Sequence, residues 1–590
     1  MIINTVVKAA VDRFFKTEQI VFFYAGRRVE TLSALLSGLE KTCNSCFLCA
    51  CLVVPAHFAY AGSTPPDSGR VIQDQKERPN EPGLDDASVI ELPQSNGPVY
   101  QQESGLRVKI NSVSIQGNTL FSGSTLRSVL DDTIGEELSL ADMRWMAARL
   151  TAFYRENGYI FARAYLPPQE IRNNHLRITV IEGYFSRVRV HNASKSPDLM
   201  VSGLWPGEAI KLTTLERSLL LLSDIPGIAV QSTLKSGGAT GTADLYIDIR
   251  DDEPYVGVVS LDNYGSHSTG ENRINGLLSI YNPLGVGDSL SFRATTTDEN
   301  LYFGGIDYQI PVGIDGTKFG VSYNHLDYTL GSNFESLDAH GTADILSLET
   351  AYPFVRTRLF SLYGKLSGTA QQLHDYVDLY SESTEKSTMG LALSLYGSNR
   401  DFFLGGGSNS FSLSINSGYL DIESGPSQLL DDVTAETQGS YSILDIDVQR
   451  SHYLGNRFSL YSKLSAQLAT KNLTSAEKFS LGGPFGVRAY PQGEATGDEG
   501  ALVSIEFRYG VSEQMKLSVF TDAGYITVNR DPWAPGANHR DLYSYGMGME
   551  WSTESGFLLQ ATIAWKAGND EPTADVDRVP RVWGQIAYRL

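Results

Sequence analysis

The run Leu481-Gly482-Gly483-Pro484-Phe485-Gly486-Val487-Arg488-Ala489-Tyr490-Pro491 sets one arginine among glycines. Glycines let a backbone fold back tightly, and a guanidinium at the tip of such a fold can grip a carboxylate through two parallel hydrogen bonds. A partner stands further along the chain, in Phe520-Thr521-Asp522-Ala523-Gly524. An Arg488–Asp522 pair is the chemistry of a lock rather than of turnover. The competing readings are a solvated loop arginine and a generic carboxylate on a polar face. Catalysis finds no footing: the chain has no Walker A sequence and no His-Glu-x-x-His, and its 9 histidines are scattered. No catalytic residue, resident metal or cofactor is expected.

The elements that must position this pair are strands. From about Tyr255 to Leu590 the chain alternates polar and apolar residues in sixteen stretches. In Met515–Tyr525, Met515, Leu517, Val519, Ala523 and Tyr525 share one face, and Lys516, Ser518, Phe520, Asp522 and Gly524 the other. Phe557–Lys566, Val503–Tyr509 and Phe458–Leu468 repeat the pattern; in the second, Ser504, Glu506 and Arg508 lie on the polar face. One such strand also suits a soluble sandwich. Many in series, without any ~18-residue apolar run past the N-terminal region, suit a closed barrel that meets lipid outside and water within. Mean hydropathy is −0.17, and tyrosine (30) and phenylalanine (25) are abundant.

Expected strand starts are 254, 272, 288, 300, 317, 342, 358, 387, 409, 439, 457, 500, 514, 541, 557 and 580, an even count as bacterial barrels require. Short links at 282–288, 311–317, 353–357, 452–456, 510–513 and 552–556 alternate with longer ones at 329–341, 371–386, 420–438, 470–498, 527–540 and 567–579. Short turns on one rim and long loops on the other are a barrel signature; the link at 298–300 breaks the rule. The glycine-rich run lies in the longest loop, between the eleventh and twelfth strands. By parity Asp522 faces the lumen, so pairing with Arg488 would draw that loop into the bore.

Ahead of the barrel the character changes. Strand-like Arg107–Ile115 is followed by a short helix near 124–132. A helical stripe of Leu140, Met143, Ala147, Leu150 and Tyr154 comes next, capped by Ser139 and ended by Asn157-Gly158. Strands at Ile160–Leu166 and Leu176–Ile181 complete the unit. The order partly repeats: Val188 and Val190 on a strand, Leu215, Leu219 and Leu222 on a helix, then strands Ile228–Leu234 and Leu245–Ile249. Residues 62 to about 102, rich in Pro, Ser, Asp, Glu and Gln, read as an extended linker, with a short polar helix at Ser68–Arg78 before Pro79.

All 4 cysteines, Cys43, Cys46, Cys49 and Cys51, lie in or beside the apolar stretch Cys46–Ala59, which follows Lys41 and ends at Ala59-Tyr60-Ala61. A positive flank, an apolar core and a small-x-small site describe a secretory signal. The alternatives are a lipobox around Leu48-Cys49-Ala50-Cys51 and a thiolate metal cage, which an apolar leader does not build. The net charge of −21 and pI near 4.9 argue against nucleic acid as a partner.

Taken together, these motifs resemble two-partner secretion transporters, the haemolysin and filamentous-adhesin secretion family, within the superfamily of barrel transporters and insertases with periplasmic POTRA domains. Val487-Arg488-Ala489-Tyr490 is similar to the family's Val-Arg-Gly-Tyr/Phe loop, and Phe520, Asp522 and Gly524 to its Phe-x-Asp-x-Gly strand. Gly158-Tyr159…Ala162-Arg163-Ala164-Tyr165-Leu166-Pro167, Val180-Ile181-Glu182-Gly183 and Leu219–Gly227 resemble its POTRA patterns. Ala489 replaces the usual glycine, and Leu590 the usual terminal aromatic.

The resemblance implies an α+β pair of POTRA domains followed by an all-β barrel of about sixteen antiparallel strands. The expected division is 1–61 signal region, 62–104 linker or plug segment, 105–184 first POTRA, 185–252 second POTRA, and 253–590 barrel with the inward loop 470–498. Arg488 and Asp522 would lock loop to barrel, with Gly482, Gly483, Val487, Ala489 and Tyr490 shaping the loop and Phe520 and Gly524 the strand. The implied partners are an exoprotein client, outer-membrane lipid and the barrel-assembly machinery, with POTRA domains in the periplasm. The rivals are a barrel-assembly insertase and a passive porin.

Overall fold

The computed structural model describes residues 65–75, 106–192, 203–423 and 425–590. The signal region with its four cysteines, and most of the linker, lie outside the described residues.

Alternation along the C-terminal half becomes sixteen antiparallel strands in one closed barrel, from Tyr255–Asp262 to Arg581–Arg589. Closure joins the last strand to the first over the register Gln585↔Asp262 to Arg589↔Val258. Side chains sort by parity. Leu517 and Val519 are exposed on the outer wall, whereas Phe520, Asp522 and Gly524 are buried on the inner one. Outward leucines such as Leu391 and Leu393 are likewise exposed where they would meet acyl chains. Among the described residues no helix is long and apolar enough to cross a membrane.

The strand starts fall where the alternation puts them, with one class of error. The expected loop at 371–386 is only the turn Asp378–Ser381, because the strands Phe360–Val377 and Glu382–Asp401 run on. Their outer stretches carry His374, Tyr376 and Glu385 instead of an apolar face, so a lipid-period criterion stops too early. The short link at 298–300 is present between Thr297 and Leu301.

Two αβ modules precede the barrel. In the first, Ser112–Gln116 pairs parallel to His175–Ile181, which pairs antiparallel to Arg163–Tyr165. The helix Leu140–Glu156 lays Met143, Met146, Leu150 and Tyr154 on this sheet. Ser139 and Asp142 form a reciprocal capping box at its start. The single strand expected over Arg107–Ile115 is two short ones, Val108–Lys109 and Ser112–Gln116, because Val108–Lys109 pairs with Glu137–Leu138 instead. The flanking elements are also shorter than expected, at Gly123–Ser128 and Arg163–Tyr165.

The second module repeats the order. Tyr184–Asn192 is parallel to Thr242–Asp251, Ile228–Ser236 is antiparallel to it, and the helix Leu212–Ser223 covers the sheet. Phe161 of the first module packs against the second module's core, and Leu212 N donates to Gly158 O at 2.8 Å. The second module seats its helix on two short barrel turns. Arg356 grips Asp224 through both oxygens, at 2.6 and 2.8 Å; Arg217 reaches Pro353 O at 2.7 Å; and Arg358 N donates to Glu216 at 2.8 Å. The rim of short turns is therefore the module side, and the long loops crown the other end.

Candidate functional site

The loop 470–498 turns back into the bore as a hairpin. Its limbs pair at Phe479↔Gly497 and Ser480↔Thr496, and Leu481 N and Gly482 N continue the stem onto Ala495 O and Glu494 O. Gly483 has φ +103°, a conformation that favours glycine. A Cβ on Gly482 would lie 2.2 Å from Pro491 O, so the two limbs close only because none is there. Ala489 does not adopt a positive φ. The alanine in place of the family's glycine is accommodated without left-handed strain, and its methyl is buried.

The hairpin docks on the inner wall through an apolar face. Leu481, Val487, Ala489 and Tyr490 pack with Leu502, Phe520, Ile526, Leu542 and Ala564. Gly524 makes the approach feasible: a Cβ there would meet Leu481 Cδ2 at 2.7 Å and Val487 Cγ2 at 3.1 Å. Burial of this face supplies the non-directional part of the attachment.

Arg488 supplies the directional part. Its Nη2 and Nε donate to the two oxygens of Asp522 at 2.8 and 3.0 Å, and its backbone N–H adds a third bond at 3.2 Å. Ser504 and Ser544 hydroxyls donate to the same carboxylate at 2.7 Å each. Asp522 is 1 % exposed and accepts five hydrogen bonds. The remaining guanidinium nitrogen reaches Glu506 at 3.0 Å, which is held in turn by Arg508 at 2.9 Å. The Phe520 ring lies beneath Arg488, with Cζ 3.2 Å from its centroid. From the last strand Trp583 Nε1 donates to Arg488 O at 2.7 Å, and Phe485 meets Tyr264 edge-on. A buried cation with every partner satisfied holds one geometry firmly, and removal of either member strands the other.

All nine residues singled out in the loop and strand motifs thus meet in one place. Glu506, Ser504, Ser544 and Trp583 complete it without having been singled out. Parity alone puts Ser504 and Glu506 on the lumenal face; nothing in the sequence gives their depth along the bore.

A second body occupies the lumen. Ser68–Gln73 is a six-residue helix that ends well before the expected Arg78. Val71 and Ile72 are buried against Leu301, Leu326, Tyr328, Leu373 and Ala476. Asp67 caps the helix through Arg70 N and pairs with Lys386 at 2.9 Å. Ser68 N donates to Asp375 at 2.7 Å. The helix touches the hairpin as well: Arg70 bonds Thr496 at 3.2 Å and Gln492 bonds Asp74 at 2.6 Å.

In the first module Glu182 is a buried hub. It accepts from Thr119 N and Oγ1, Leu120 N, Tyr154 OH and Tyr184 OH, all within 3.0 Å. Burial opposes its ionisation, but the hydrogen bonds from Thr119, Tyr184, Leu120 and Tyr154 outweigh burial and hold its carboxyl below the usual glutamate value. Tyr184 opens the second module, so this carboxylate ties the two together.

The family model for the haemolysin secretion/activation protein ShlB/FhaC/HecB matches residues 241–551, and that for the ShlB-type POTRA domain matches 108–183. The chain is 28 % identical to the heme/hemopexin transporter protein HuxB of Haemophilus influenzae, over 86 % of this chain and 93 % of that one. It is 23 % identical to the outer membrane transporter CdiB of Escherichia coli, over 90 % of each. Among solved structures, CdiB from Escherichia coli superposes with a TM-score of 0.71 at 18 % identity, covering 85 % of this chain and 94 % of that one. The chain belongs to the haemolysin secretion/activation family ShlB/FhaC/HecB, transporters embedded in the outer membrane with their POTRA domains in the periplasm.

Proposed function

We propose that this chain exports one large exoprotein, of the adhesin or haemolysin class, as the membrane half of a two-partner secretion pair. The observation that carries the reading is the hairpin held across the bore by the Arg488–Asp522 pair, above a periplasmic module bolted to the barrel rim. A resting pore closed by a removable body suits a channel that opens for a specific cargo; a passive porin has no use for it.

The client arrives unfolded. Among the described residues the outer edge of Ile228–Ser236 has no strand partner, whereas the edge of Tyr184–Asn192 is bridged at its start to Ala209; an extended segment can add to the open edge by main-chain hydrogen bonds. The second module's helix sits on the turns at 313–316 and 357–359, which keeps the module at the periplasmic rim of the barrel. Export needs no nucleotide: folding outside the cell disfavours return. Arg488 and Asp522 act as the loop–barrel lock, with Gly482, Gly483, Val487, Ala489, Tyr490, Phe520 and Gly524 as its fitted surfaces. The helix Ser68–Gln73 acts as the plug portion of the 62–104 segment. Lipid contacts the outer apolar wall, and the barrel-assembly machinery inserts the chain.

The test is deletion of this chain in a cell that also makes a large exoprotein with an N-terminal secretion domain. Export should cease, with the client degraded or retained in the periplasm, and return on complementation. Undiminished export in the deletion strain refutes the assignment. If outer-membrane barrels fail to assemble while the client is still exported, the insertase reading takes its place.

A further inference from the structure

The tip pair is not the only charge that holds the hairpin. Glu494, on the returning limb, is fully buried. One of its oxygens accepts from Thr573 N and Ala574 N at 2.8 Å each. The other accepts from Thr573 Oγ1 at 3.0 Å and from Arg540. Asp498, at the foot of the same limb, is also fully buried and accepts from Arg530 N at 2.8 Å and Lys478 at 2.6 Å. Residues 573 and 574 belong to the extracellular loop 567–580, and Arg530 to the loop 528–538, so neither carboxylate serves the hairpin's own fold alone. Three of the four donors to Glu494 come from loop 567–580 and the fourth from Arg540 on the strand His539–Ser552, as a docking contact would have it.

The two limbs are hydrogen-bonded to each other from Phe479 to Gly482. A hairpin tied in this way moves as one piece, restrained at its inner end by Arg488 and at its outer end by Glu494. We propose that Glu494 is a second positioning lock, on the extracellular side, which ties the inward hairpin to loop 567–580 and keeps the outer mouth shut independently of the Arg488 pair. The consequence is an order of events: loop 567–580 can lift away while the hairpin tip stays docked, and the whole hairpin leaves only when both of its ends are free. The claim about closure stands on the geometry; its importance for export rests on the translocator reading above.

The experiment uses the full-length protein in planar bilayers without any client. In Glu494→Ala the fraction of time spent conducting should rise about tenfold, the factor that matches loss of a hydrogen-bonded charge contact. Glu494→Gln, which keeps an acceptor for the two loop N–H groups, should recover part of the closure. Arg540→Ala leaves the hairpin's own sequence intact and removes one donor to Glu494 while keeping the three from loop 567–580, so it should move conductance in the same direction by a smaller factor. It also keeps the test decisive if Glu494→Ala proves unstable.

In parallel, a single cysteine at Phe485 is labelled with a membrane-impermeant maleimide. Labelling should keep the parental rate in Glu494→Ala and accelerate in Arg488→Ala. Parental conductance in both Glu494→Ala and Arg540→Ala overturns the second lock. So does tip labelling that accelerates equally in Glu494→Ala and Arg488→Ala, since the two ends would then be one lock. As no client is present, either result leaves the secretion assignment to its own test.

Discussion

The hairpin tip and the N-terminal helix share one lumen, yet they are held by different means. At the tip, every donor on Arg488 that is described and every oxygen of Asp522 has a partner, and apolar side chains seal the site. At the helix seat the contact is short and only partly satisfied. Ser68–Gln73 is under two turns long, too short to be a stable helix by itself. It buries Val71 and Ile72, uses one ion pair through Asp67, and leaves Ser68 Oγ and Asp375 Oδ2 without a protein partner among the described residues. Buried polar atoms left unpaired weaken an attachment that paired ones would strengthen. The difference points to a sequence of release, with the helix leaving first and the hairpin second.

The largest effect should come from breaking the tip. Arg488→Ala leaves the Asp522 carboxylate buried with two hydroxyls and one backbone N–H but no cation, a loss on the order of 3–5 kcal/mol for a broken buried pair. Export of the client should fall to background while the barrel remains in the membrane, as read by client immunoblot and by heat-modifiable migration of the barrel. Asp522→Ala should do the same. Undiminished export by both variants would remove the lock from the mechanism.

A carboxylate hub without a cation sharpens the contrast. Glu182 is satisfied by neutral donors alone, and its substitution by alanine leaves the buried Tyr154 OH and the part-buried Thr119 and Leu120 N–H groups without their acceptor. A cost of about 2 kcal/mol follows from such orphans. Because the folded-state value lies below the ordinary glutamate value, the contribution is fully present above the latter and is lost as pH falls from there through the lowered value. Hydrogen exchange on the full chain should show the periplasmic modules opening as acid is added in the parent. In Glu182→Ala they should already be more open at neutral pH and show less acid response.

The helix seat should give a smaller effect. Lys386→Ala removes the partner of Asp67, an ion pair that remains partly accessible to solvent, and such pairs contribute on the order of 1 kcal/mol and weaken with salt. A spin label on the helix should report more undocked population in Lys386→Ala than in the parent. Raised ionic strength should undock the parent helix before it disturbs the tip. Equal salt sensitivity at the two places would erase the distinction drawn between them.

What the sequence discloses follows the same division. Period-two alternation specifies a face, so the barrel, its strand count and the lumenal position of Asp522 are legible from residues such as Leu517, Val519 and Asp522 alone. Arg488 is legible because glycines and a paired strand motif flank it. Depth along the bore is not, since alternation carries no axial coordinate; Glu506, Ser544 and Trp583 converge on Arg488 only once strand stagger is known. Strand ends past the membrane are equally hidden, which is why the loop expected at 371–386 proved to be strand. Glu494 and Asp498 look like ordinary loop acids in sequence, and only the approach of loops 528–538 and 567–580 makes them buried acceptors.

The smallest expected effect bears on the one departure from the loop motif. Ala489 lies where the family has glycine, yet its φ is not positive and its methyl sits in the apolar cluster under the hairpin. Ala489→Gly therefore relieves no strain. It removes a buried methyl and adds freedom to the undocked loop, each of which weakens docking, by about 1 kcal/mol in sum. Conductance should rise slightly, well short of Arg488→Ala, and export should be unchanged. If Ala489→Gly instead closed the channel more tightly than the parent, backbone conformation at this position, rather than the Arg488 charge and its apolar seat, would be limiting for the lock.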